Sequence, residues 1–243
     1  MLFIFLLTVQ TTLAQTTLMQ QANDAYLRGD FPAAIALYED LVASGSRHPA
    51  LFFNLGSAYY ENGDFAHALL YYRRAQAIIP RDSQLNTNMA LIRARRIDIQ
   101  NDQRVLIDSF AELTSDTVTL RELGGLVTIL WLGWFALLMW RIYQPEKRDR
   151  LRIPLWVIGS VLAAVVLLFS TRFYVTAERP AAVVIRDNTP VMSGPSSDYF
   201  EMYELHAATE IRILEIRDNW ARFVLPDGRP GWITQDSFEE VDF

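Results

Sequence analysis

The sequence contains no cysteine and only three histidines. The first absence removes disulfides, thiol nucleophiles and thiolate metal sites, and it leaves the redox compartment open. His48, His67 and His206 stand at no spacing that a metal pair uses, so they read as solvated surface residues. A glycine-rich phosphate loop is missing too, because Leu123-Gly124-Gly125-Leu126 opens an apolar run with no lysine after it. There is no nucleophile elbow and no Cys/His pair. Glu201, Glu204, Glu210 and Glu215 are scattered carboxylates of the kind that solvate a small domain, rather than a paired acid and base. The chain therefore reads as a non-enzyme with no catalytic residue, no metal and no cofactor. Its 22 basic residues against 28 acidic ones, net −6, argue against nucleic acid as a partner.

What is present is self-similarity. Ala22, Gly29-Asp30-Phe31 and Ala34 recur as Gly56, Gly63-Asp64-Phe65 and Ala68, an offset of 34 residues. A period of that length marks stacked helical hairpins. Small side chains at Gly56, Ala68 and Ala75 let two antiparallel helices approach, while Leu55, Tyr59, Tyr72 and Ile79 fill the space between. Asn62-Gly63-Asp64 makes the turn and Pro80 stops the second helix. The first unit keeps register through Gly29-Asp30-Phe31, Ala34 and Tyr38, with Gln21 at a position usually leucine and Tyr26 one place late. Gln84 to Ile97, with Leu85, Met89 and Ile92 at helical spacing, reads as a third first-helix or a capping helix. Residues 15–100 thus resemble an array of tetratricopeptide repeats.

Two long uncharged runs follow. Leu123 to Trp140 and Ile153 to Thr171 lack any charged residue, and each is long enough to cross a hydrocarbon layer of about 30 Å as a helix. Arginines flank both, Arg121 and Arg141 the first, Arg152 and Arg172 the second, which favours membrane over buried core. The reading is a linker at 101–122, spanning helices at 123–142 and 153–172, a basic loop at 143–152, and a linker at 173–181. Trp140, Trp156 and Tyr174 suit an interfacial belt, whereas Trp131 and Trp134 lie deeper, at positions for packing against another helix.

Charge orients the pair. The connector carries Arg141, Lys147, Arg148, Arg150 and Arg152 against Glu146 and Asp149, and short basic loops stay in the cytoplasm. Gln15 to Glu122 has 10 basic and 13 acidic residues and Arg172 to Phe243 has 7 and 13, so both flanking parts are acidic and are expected outside. Met1 to Ala14 is apolar and ends Thr-Leu-Ala before Gln15, in the manner of a signal-peptide core, although no Lys or Arg precedes Arg28. Residues 1–14 read as a signal peptide or an uncleaved leader.

From residue 182 to 243 the chain turns to short β-rich stretches: Ala182 to Arg186, Val191-Met192, Ile211 to Ile216, Trp220 to Leu225 and Gly231 to Ile233. Ser193-Gly194-Pro195-Ser196, Asp218-Asn219 and Pro226-Asp227-Gly228 separate them as turns, the last closing a hairpin. Five short strands in so few residues predict a small all-β barrel. Val191-Met192-Ser193-Gly194-Pro195-Ser196, Trp220-Ala221-Arg222-Phe223 and Asp227-Gly228-Arg229-Pro230-Gly231-Trp232-Ile233 resemble the bacterial SH3-like domain in order and spacing. That resemblance implies cell-wall binding for some members. Tyr199, Trp220 and Trp232 are either an aromatic ligand face or core filling.

Taken in order, leader, tetratricopeptide units, two spans around a basic loop and an SH3-like barrel make a multidomain membrane protein. This order resembles the BatE-type proteins of bacterial aerotolerance operons. The resemblance implies an envelope scaffold in the cytoplasmic membrane, two-pass, with both terminal domains extracytoplasmic. Its implied partners are von Willebrand factor A-domain membrane proteins and a MoxR-type ATPase system.

In tetratricopeptide arrays the first helix of each pair lines the concave face. By register that face includes Met19, Asn23 and Tyr26, then Phe53, Asn54, Ser57 and Tyr60, then Gln84, Thr87, Asn88 and Leu91. Amides beside aromatics suit an extended peptide, whose main chain needs donors and acceptors and whose side chains need apolar pockets. Asn54 reads equally as a groove amide or as a helix-packing hydrogen bonder. The basic residues of a chain-end carboxylate clamp are replaced by Met19, Gln84 and Asn88, which leaves an internal segment or a helix as the expected guest. The leading function is a protein-binding scaffold. The alternative is a cell-wall-binding or sensing protein acting through the SH3-like part.

Overall fold

The 34-residue register sets the helix boundaries. Gly29 and Gly63 both adopt the left-handed backbone that closes a first helix, at φ +77° and +86°, where a Cβ would be strained. Asp30 and Asp64 follow as N-caps, accepting from the amides of Ala33 and His67. The result is a helix α1 at Leu2–Leu27, α2 at Phe31–Ala43, α3 at Pro49–Glu61, α4 at Phe65–Ile78 and α5 at Ser83–Arg95. The structure, a computed structural model, describes residues 2–96, 98 and 118–241, with side chains from Gln15 onward, Glu178 excepted. The expected boundary after residue 14 has no break in the backbone, since α1 is continuous across it. Ile97, at the end of the expected third helix, lies outside the described residues, and so do residues 101–117 of the expected linker.

Packing follows the small residues. A Cβ on Gly56 would lie 2.8 Å from the Tyr72 ring and 3.2 Å from the Ala68 carbonyl oxygen, so α3 and α4 approach as closely as the sequence predicts. Ala22, Ala34, Ala68 and Ala75 are fully buried between Phe52, Leu55, Leu69 and Tyr72. Tyr26 is not displaced: Ala25 is the buried counterpart of Tyr59, and Tyr26 is the counterpart of Tyr60. Both rings meet the phenylalanine that opens the next helix edge to face, Tyr26 on Phe31 at 5.6 Å and Tyr60 on Phe65 at 5.4 Å. Gln21, at the position usually leucine, is exposed.

The C-terminal part is a seven-stranded antiparallel sheet, not five-stranded. Its strands are β1 Ala181–Val184, β2 Thr189–Met192, β3 Glu201–Leu205, β4 Glu210–Arg217, β5 Trp220–Val224, β6 Pro230–Thr234 and β7 Phe238–Glu240, in the order β3-β2-β6-β5-β4-β1-β7. The two strands absent from the sequence reading, β3 and β7, are the sheet's edges and are rich in glutamate, which hides their apolar alternation and protects an edge from further pairing. Leu205 from one edge and Phe238 from the other share one core with Val191, Phe223 and Ile233, so the sheet curls around its own apolar face. Gly231 makes the curl possible, since a Cβ there would sit 2.1 Å from the Val191 side chain.

Array and sheet belong to one unit, residues 1–105 with 180–243, and residues 106–179 form another. In the second unit a capping box starts helix α6, Leu120–Tyr143: Thr119 Oγ1 accepts from the Glu122 amide and Glu122 accepts from the Thr119 amide. This begins the helix three residues before the expected 123. Helix α7 runs over Arg152–Glu178, so the expected linker at 173–181 is helical almost throughout. Nothing in Phe173-Tyr174-Val175-Thr176-Ala177 breaks a helix until Pro180 disfavours it. Both helices are long and apolar enough to cross a membrane. Their apolar side chains are widely exposed, Ile129 at 69% and Trp156 at 74%, unlike those of a buried core helix. Trp134 packs on Gly159 and donates to the Leu155 carbonyl at 3.2 Å, which meets the expectation for a deep tryptophan. Trp131 stacks on Phe135 of its own helix instead, half exposed.

Candidate functional site

A cavity of about 600 Å³ lies along the repeat array. All seven residues expected to line the concave groove, Asn23, Tyr26, Phe53, Asn54, Ser57, Tyr60 and Asn88, border it, as do Gln84 and Leu91. Met19 packs against the core, and Thr87 is exposed with its hydroxyl donating to the Ser83 carbonyl.

The floor comes from two residues that the sequence reading treated as packing, Tyr38 and Tyr72. They are 34 residues apart, and the hydrogen bonds around each hydroxyl join two neighbouring hairpins. Tyr38 donates to Asn23 Oδ1 at 2.7 Å, and Asn54 donates to the same oxygen at 3.1 Å. One period later, Ser57 Oγ lies 3.0 Å from the Tyr72 hydroxyl and Asn88 donates to it at 3.2 Å. Asn23, Tyr38 and Asn54 thus recur as Ser57, Tyr72 and Asn88. Asn54 is both a groove amide and a tie between helices, because one of its two N–H groups is used inward and its carbonyl remains for a guest. Burial pushes the Tyr38 hydroxyl up to about 12, against the opposing hydrogen bond from Asn54, and burial raises Tyr72 as well. Both remain protonated donors at neutral pH. Tyr26, Phe53 and Tyr60 supply the apolar walls.

The aromatic trio of the sheet does not converge in the same way. Trp220 and Trp232 alternate with buried Ala221 and Ile233 and stand half-buried on the outer face of β5 and β6, with Arg217 5.5 Å above the Trp232 ring. Of the two readings, ligand face or core filling, this alternation leaves Trp220 and Trp232 off the core face of the sheet. Tyr199 lies over Gly194, 51% exposed.

Sequence reasoning missed how array and sheet meet. Val183, Ala208 and Val241 join the helical core rather than the sheet's. Glu210, read as a solvating carboxylate, is largely buried between three arginines: Arg93 donates through Nε and Nη2 at 2.9 and 2.8 Å, Arg96 at 3.2 Å, and Arg73 is within 3.3 Å. Burial would raise its pKa, but the charges of Arg93 and Arg73, the Arg93 hydrogen bonds and the Arg96 charge hold it far below the usual range. The histidines are also structural. His48 caps α3 by accepting from the Ala50 amide, His67 pairs with Asp64 at 2.6 Å and stacks on Tyr59, and His206 meets Asp98 at 3.0 Å. No single-residue pattern announces the Glu210 and His206 pairings, which join positions more than a hundred residues apart.

The tetratricopeptide repeat family matches residues 19–83, the stretch that carries both hairpins and most of the groove. Such repeats build scaffolds for protein–protein interaction. No curated protein matches the chain.

Proposed function

We propose that this protein is a membrane-anchored, non-enzymic scaffold of the bacterial envelope that holds a segment of a partner protein in the repeat groove. The observation that carries the reading is the convergence of Asn23, Tyr26, Phe53, Asn54, Ser57, Tyr60 and Asn88 on one cavity whose floor hydroxyls are already satisfied. A guest there meets fixed amides for its main chain and aromatic walls for its side chains, which costs little ordering of the host. In the same proposal α6 and α7 are the anchor, with both acidic parts outside and the basic connector in the cytoplasm. The curled sheet is taken as an SH3-like barrel. The order of parts points to BatE-type proteins of aerotolerance operons, and so to von Willebrand factor A-domain membrane proteins and a MoxR-type ATPase system as the partners to try first.

Tyr26→Ala with Tyr60→Ala tests the groove. Truncating a desolvated aromatic anchor costs about 2 kcal/mol, roughly thirtyfold in affinity. The detergent-solubilised double variant is expected to lose co-purification with its von Willebrand factor A-domain neighbours while keeping its helical circular dichroism. Retained partners in a folded double variant would remove the groove from the proposal. The half-buried Trp220 and Trp232 on the outer face, the latter under Arg217, favour one second reading, wall binding through the sheet; sedimentation with purified peptidoglycan, lost in Trp232→Ala, would move it ahead.

A further inference from the structure

We propose that the loop end of the α6–α7 pair holds one anionic phospholipid, its phosphate between Arg141 and Arg152 and an acyl chain in the furrow below. The inference rests on the membrane reading above. A cavity of about 470 Å³ opens between the two helices, and both arginines border it. They come from opposite sides of the short connector, Arg141 in the last turn of α6 and Arg152 as the first residue of α7. No carboxylate answers either guanidinium among the described residues, and Arg141 Nε is buried without a hydrogen-bond partner. A buried unpartnered N–H in a cationic group is costly unless a ligand satisfies it, and a phosphate offers several acceptor oxygens to a planar donor fork.

The same pocket is apolar below this polar mouth. Gly159 and Ala163, one turn apart on α7, leave a furrow where larger residues would fill the surface, and Trp134 and Trp156 wall it. The Trp134 indole, packed on Gly159, has its N–H satisfied by the Leu155 carbonyl, so it borders the cavity without an unpartnered donor. Two further features suit the phosphate. Helix α7 starts with no acidic residue in its first turn and no side-chain cap, so its positive end faces the same region. Lys147 lies over the Trp140 ring at 5.6 Å, bringing a third cation to the connector. A cationic rim over an apolar furrow is complementary to a lipid with an anionic headgroup, and a partner helix would leave the two guanidinium groups unanswered.

The test uses the full chain in vesicles of phosphatidylcholine containing a minor fraction of either brominated phosphatidylglycerol or brominated phosphatidylcholine, read by quenching of tryptophan fluorescence. Brominated phosphatidylglycerol is expected to quench more strongly, with an apparent preference of roughly fivefold for each arginine that contacts the phosphate. Arg141→Gln with Arg152→Gln should abolish the preference, and Arg141→Lys with Arg152→Lys should retain part of it. Equal quenching by both lipids, unchanged in the glutamine variant, would overturn the site and leave the membrane reading standing. Quenching by neither lipid would overturn the membrane reading itself. Displacement of phosphatidylglycerol by millimolar inorganic phosphate would overturn the lipid in favour of a free anion, and loss of quenching on dimerisation would overturn it in favour of a second protein chain. Circular dichroism of each variant shows that the helices persist.

Discussion

At the scale of single residues, the groove is held open by hydroxyl groups that look like core residues in the sequence. Tyr38 and Tyr72 are each about 1% exposed, yet the Tyr38 hydroxyl donates to Asn23 and the Tyr72 hydroxyl reaches Ser57 and Asn88 on different helices. Tyr72→Phe would leave Ser57 and Asn88 short of a partner, and should cost about 1–2 kcal/mol in urea denaturation of the full chain. Gly56→Ala tests the close approach beside it. The Tyr72 ring cannot retreat without giving up both hydrogen bonds, so the added methyl should destabilise by about 1–3 kcal/mol through overpacking. A melting temperature unchanged from the parent in both variants would contradict the packing described here. The lining of the groove was legible because first-helix positions follow the 34-residue register. Its floor was not, because a buried tyrosine gives the same apolar signal whether its hydroxyl is used or not.

At the scale of elements, the helices and the sheet meet through charge, and this contact has a pH dependence. The hydrogen bond that Asp64 accepts raises His67 above its usual 6.5, and Asp98 does the same for His206. Such groups contribute fully below the unfolded value and lose the contribution as pH rises through the folded one. Asp98 and Glu210 behave oppositely: their depressed values supply stability above the unfolded range, lost as pH falls through the folded values. Stability of the array–sheet unit should therefore peak between about pH 4.5 and 6.5 and decline on both sides, as read by its urea midpoint. His67→Gln with His206→Gln should flatten the alkaline side and also weaken the acid-side decline, because both histidines help hold Asp64 and Asp98 low. Glu210→Gln keeps the shape but removes the charge, leaving Arg73, Arg93 and Arg96 with no anion among them at that site. This should cost about 3 kcal/mol. Each strand of β4, β5 and β6 was legible from turns and alternation, and the docking was not, because an arginine on α5 and a glutamate on β4 carry no mark of each other in the sequence.

At the scale of the whole molecule, the proposed topology makes the basic connector the determinant of orientation. A phosphatase fused after Phe243 should be active outside the cytoplasm and one placed at Gln144 inactive; the opposite pair would reverse the proposed topology. The order of parts was legible because uncharged runs, a fixed period and turn clusters are long-range signals. The union of array and sheet in one unit was not, because the intervening apolar helices separate them along the chain. That union has a consequence for biogenesis. In the proposed topology the array is made first, and the sheet that carries Glu210 follows only after both apolar helices. The gap from α5 to β1 is about 85 residues, so synthesis at about 5–20 residues per second leaves a window of roughly ten seconds. During that window Arg73, Arg93 and Arg96 have not yet met Glu210, so the unfinished array is more basic at this face than the completed unit.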